Sequence, residues 1–81
     1  MEIQYIQELI NNNREIEFDF NGNRYSVTYY NDNRKKYISF CKFYNEPIDV
    51  KNVEELFKLK IRNQTLKQIF KSLSDSSFDI Y

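Results

Sequence analysis

The chain has 81 residues, equal numbers of acidic and basic side chains (12 each), no His, no Trp, one Gly and one Cys. Without His, serine- and cysteine-type triads are excluded; a lone Cys excludes the usual zinc sites and any intramolecular disulfide, and one Gly excludes a Gly-rich phosphate loop. A zero net charge argues against a general polyanion binder, and a chain this short forms one domain that buries only about 60% of its unfolded surface.

Charge is segregated along the chain. Residues 1–33 carry six acids and two bases, residues 34–71 ten bases and four acids, and residues 72–81 two acids alone. No apolar run reaches the roughly 18 residues needed to cross a bilayer, and no basic segment followed by an apolar run marks a signal peptide. The composition therefore leads us to expect a cytoplasmic protein with no membrane partner, a reducing surrounding for its single thiol, and no cofactor.

Taken in order, residues 2–10 predict a short amphipathic helix, with Ile3, Ile6, Leu9 and Ile10 on one face and the Asn11-Asn12-Asn13 run ending it. Glu15 to Tyr30 predicts a hairpin. Asn21-Gly22 between alternating runs suits a type I′ turn, which needs positive φ at both central residues. That turn fixes the register: Asp19 opposite Arg24, Phe18 opposite Tyr25, Glu17 opposite Ser26, Ile16 opposite Val27. A polar turn at residues 31–35 leads to a third strand, Lys36 to Tyr44. There Ile38 and Phe40 face inward with Val27 and Tyr29, while Tyr37, Ser39, Cys41 and Phe43 face the other way.

Asn45-Glu46-Pro47 breaks that strand. Two capping boxes follow, Asn52 to Glu55 and Thr65 to Gln68. Each opens a short helix, the first burying Val53, Leu56 and Phe57 and the second Leu66, Ile69, Phe70 and Leu73. Leu59 to Arg62 is extended, Asn63-Gln64 turns the chain, and Phe78 to Tyr81 reads as a terminal strand. The expected fold is α+β: a small antiparallel meander with helices packed on one face, in the order α-β-β-β-α-α-β.

The chemistry that remains is binding rather than catalysis. Cys41 and Lys42 are neighbours on a strand and point to opposite faces, so the lysine does not activate the thiol. Glu15, Glu17 and Asp19 are the solvated side of an alternating strand, with Asp19 balanced by Arg24. Asn31-Asp32-Asn33 is a turn rather than a calcium loop, since the later Gly and Glu are missing. No enzyme activity and no metal site are expected.

Two binding surfaces are legible. Tyr30, Tyr37, Phe43 and Tyr44, with Cys41 between them, would form a patch for a protein partner, because Tyr combines large area with a polar tip. Self-association through the same patch, as a homodimer, is an allied reading. The alternative is RNA or single-stranded nucleic acid, with bases stacking on Tyr30, Tyr37 and Tyr44 and phosphates meeting Arg34, Lys35, Lys36 and Lys42. Lys58, Lys60, Arg62, Lys67 and Lys71 form a second basic group.

Arg14-Glu-Ile-Glu-Phe, Asn21-Gly-Asn-Arg-Tyr-Ser and Tyr37-Ile-Ser-Phe-Cys together resemble short uncharacterised proteins of low-GC Gram-positive bacteria and their phages or mobile elements. The absence of Ala and the abundance of Ile, Asn, Lys, Phe and Tyr suit an AT-rich genome. The resemblance carries no activity and no functional residues. Size and composition are also similar in type to phage-borne inhibitors or adaptors that bind a host or defence protein.

Overall fold

A computed structural model describes residues 1–81. The hairpin forms in the expected register. β1 (Ile16–Phe20) pairs antiparallel with β2 (Asn23–Asp32), placing Ile16 opposite Val27, Phe18 opposite Tyr25 and Asp19 opposite Arg24. Asn21 and Gly22 have φ of 52° and 76°, the left-handed pair that a type I′ turn requires.

β2 then pairs with β3 (Lys35–Lys42) through a second two-residue turn, Asn33-Arg34, with φ of 51° and 66°. The chain turns out of β3 two residues before the expected end at Tyr44. The Asn45 amide donates to the Lys42 carbonyl at 3.0 Å, and Tyr44 takes φ 70° at the position where a type II turn ordinarily holds Gly.

After Pro47 comes a strand that the sequence reading missed, β4 (Ile48–Val50), which pairs with β3 as an edge. Three residues containing an Asp are too few to alternate visibly, and a short strand beside Pro is typical of a protected edge.

α1 (Ile3–Asn11), α2 (Val53–Lys58) and α3 (Leu66–Ser72) follow the expected helical stretches to within a residue or two. At α3 the capping box is complete: the Gln68 amide donates to Thr65 Oγ1 at 3.2 Å, and the Thr65 amide to Gln68 Oε1 at 2.9 Å. At α2 it is shifted. The Glu55 amide donates to Asn52 Oδ1 at 2.9 Å, but the Glu55 carboxylate receives the Lys51 amide, one residue earlier than the standard box. Between these helices β5 (Lys60–Ile61) and β6 (Gln64–Thr65) make a separate small hairpin around Arg62-Asn63. A single 3-10 turn, Asp75–Ser77, leads into β7 (Phe78–Ile80).

The five-stranded sheet has the order β4-β3-β2-β1-β7, antiparallel throughout, so β7 returns to lie beside β1. Alternation sends Ile16, Phe18, Tyr25, Val27, Ile38, Phe40, Val50 and Phe78 to one side. There they join Ile6, Leu9, Ile10, Val53, Leu56, Phe57, Leu66, Ile69 and Phe70 in one core of 17 residues. Phe18 is its centre. Its ring stacks on Tyr25 at 5.3 Å and Phe40 at 6.3 Å, and meets the Phe70 edge at 5.1 Å. All three helices lie on that side. No helix is long and apolar enough to cross a membrane.

Candidate interaction face

The same alternation that fills the core leaves the opposite side of the sheet without a covering layer. Its inner rows are small side chains: Ser26 stands opposite Cys41, and Thr28 opposite Ser39. At one end Tyr30 and Tyr37, also opposite each other, stack with ring centroids 5.3 Å apart. The Tyr30 hydroxyl reaches across β3 and donates to Asp49 Oδ2 on β4 at 2.6 Å. That bond holds the Tyr30 hydroxyl's proton, and with lesser contributions from burial and nearby acids it pushes the pKa up to about 12. Tyr30 nonetheless remains 41% exposed, and Tyr37 is half-buried.

At the other end Arg24 gathers three carboxylates. Its guanidinium donates to Glu17 Oε1 at 3.0 Å, to Asp19 Oδ2 at 3.1 Å, and to Asp79 on β7. These bonds, led by Asp79, hold the Arg24 pKa above its ordinary value. The sequence pairing of Asp19 with Arg24 is present, but Arg24 is shared with Glu17 and with a residue 55 positions away. No local pattern signals Asp79, because its place depends on β7 docking beside β1. Beside this cluster Phe43 bonds through its amide to the Arg24 carbonyl at 2.9 Å. Its ring meets Tyr44 edge-on at 6.2 Å, and Tyr44 itself is fully exposed.

Tyr30, Tyr37 and Phe43 all lie on this face but not as the single patch expected: Tyr30 and Tyr37 stack at the β2–β3 turn end, while Phe43 meets Tyr44 at the Arg24 end, a whole strand length away. Lys35 shares the face at the β2–β3 turn, opposite Asp32, and Arg34 lies within that turn. The sheet separates the other two proposed cations from the tyrosines. Lys36 stands opposite Asn31 on the helix side, its Nζ 5.4 Å from the Tyr29 ring centroid, in a depression shared with Gln7 and Asn11 of α1. Lys42 stands opposite the buried Tyr25 on that same side. Alternation explains the split: residues of one parity along β3 cannot share a face with those of the other.

Cys41 is half-buried, its Sγ 3.1 Å from the carbonyl oxygens of both Lys42 and Asn45. One S–H can donate to only one of these at a time, and the Lys42 side chain lies across the sheet. Tyr29 on the helix side donates to the Arg14 carbonyl at 2.7 Å, and burial, helped by Glu15, pushes its pKa up to about 12.

No family model, no curated protein and no solved structure matches the chain.

Proposed function

We propose that the chain is a small non-catalytic protein-interaction module, and that the helix-free face of the sheet is its docking surface. One observation carries this reading. The tyrosines of β2 and β3 that the core does not use are stacked on a sheet face that no helix covers, next to small side chains. Interfaces are enriched in Tyr for this combination of area and polar tip. The acids of β1 on the same face, and the placement of Lys36 and Lys42 behind the sheet, favour a protein over nucleic acid, since phosphate contacts need cations beside the stacking rings. An inhibitor or adaptor of the phage type is one form such a module takes.

The test is affinity capture with the wild-type chain, Tyr37→Ala, Tyr44→Ala, and Lys67→Ala on the helix side as a control. Retention of the same protein by wild type and Lys67→Ala, with loss by both tyrosine variants at unchanged circular dichroism, is the expected result. Equal capture by all four chains would place the contact elsewhere.

A further inference from the structure

From the charge carried by this face we infer that its occupant is a cationic segment, a short Lys- or Arg-rich stretch of another protein; the inference rests on the interaction reading above and names its partner class. The helix-free face presents Glu17, Asp19, Asp32, Asp49 and Asp79 against Arg24 and Lys35, five acids to two bases and a net charge of −3. Arg14, whose Nε bonds to the Tyr81 carbonyl, and Arg34, in the β2–β3 turn, stand at the rim; counting both still leaves −1. The chain as a whole is neutral, so the helix side and turns carry the compensating positive charge. A neutral protein therefore shows any approaching partner an acidic sheet face.

Two further features fit a cation. Arg24 is the only base among Glu17, Asp19 and Asp79, so that cluster keeps a net charge of −2 after its own ion pairs form. At the far end, the Tyr30–Tyr37 stack offers ring faces on which Lys or Arg is held by the aromatic quadrupole. Size points to a segment. From Tyr37 to Phe43 the face runs roughly 20 Å, and five strands span about the same, giving roughly 400 Å² in projection. Stable domain–domain interfaces use about 800 Å² on each partner. A second copy laid face to face would set −3 against −3, so an isologous dimer through this surface is opposed by its own charge.

The experiment is a titration of the 15N-labelled chain with two blocked hexapeptides, alternating Lys-Val and alternating Glu-Val, at low and physiological salt. The Lys-Val peptide is expected to shift the amides of Ser26, Thr28 and Ser39. Its binding should weaken with salt, and by at least about threefold in the Asp32→Asn/Asp79→Asn variant, whose residual Glu17 and Asp19 still hold Arg24. Equal binding of both peptides on this face would overturn the charge preference while leaving the interaction face intact. Shifts confined to the helices, or none with either peptide, would overturn the cationic partner; variant-dependent capture then judges the interaction face separately.

Discussion

The Tyr30 hydroxyl donates to Asp49 across an intervening strand, tying β2 to β4 over the top of β3. The bond favours the neutral phenol, so Tyr30 keeps its proton to about pH 12 instead of its ordinary 10.0. Because the folded-state pKa is raised, the stabilisation is fully present below pH 10 and is lost as pH rises toward 12. Tyr29, raised by burial, acts in the same direction. In Asp49→Asn the Tyr30 ring-carbon resonances should titrate closer to pH 10 while Tyr29 stays high. An unmoved Tyr30 titration would show that the carboxylate does not set it.

Phe18 sits at the meeting point of sheet and helices, fully buried against Tyr25, Phe40 and Phe70. Truncating such a ring costs about 3–5 kcal/mol. An 81-residue domain has roughly 4–12 kcal/mol in total. Phe18→Ala should therefore lose about a quarter or more of the stability and show a large drop in Tm by circular dichroism, whereas Phe18→Leu should show a clearly smaller drop.

The turns predict gains as well as losses. Arg34 (φ 66°) and Arg62 (φ 57°) hold left-handed positions where Gly is favoured in two-residue hairpins. Arg34→Gly and Arg62→Gly should each stabilise by up to about 1 kcal/mol, the relief of the Cβ clash exceeding the extra entropy of the unfolded Gly. Gly22→Ala should destabilise by about 1 kcal/mol. No atom lies within 4 Å of an added Cβ there, so the cost comes from φ +76° alone. Urea denaturation of the three variants checks all three signs.

Thr65 closes both bonds of its capping box and starts the helix that carries Leu66, Ile69 and Phe70 into the core. Thr65→Ala should cost about 1 kcal/mol, and Thr65→Ser nearly nothing, in the same denaturation assay.

The hairpin was legible because Asn21-Gly22 fixes both conformation and pairing, so Ile16, Phe18 and Val27 could be assigned to the core from alternation alone. The faces of β3 were legible for the same reason. What the sequence hid depends on contacts distant along the chain. β4 is three residues with no pattern of its own, and its Asp49 matters only because Tyr30 reaches it. Asp79 joins Arg24 only after β7 has paired with β1. Tyr44 looked like a strand residue because its side chain is aromatic; a left-handed turn at Phe43-Tyr44 overrides that propensity and leaves the ring in solvent. The separation of Lys36 and Lys42 from Tyr37 follows from parity and could have been read directly.

The uncovered side of the sheet is the centre of the account, and amide hydrogen exchange on the captured complex addresses it most directly. Binding should slow exchange at Ser26, Thr28, Tyr37 and Ser39 and leave α1 and α3 unchanged. Protection confined to the helices, with the exchange of β2 and β3 unaltered, would contradict it.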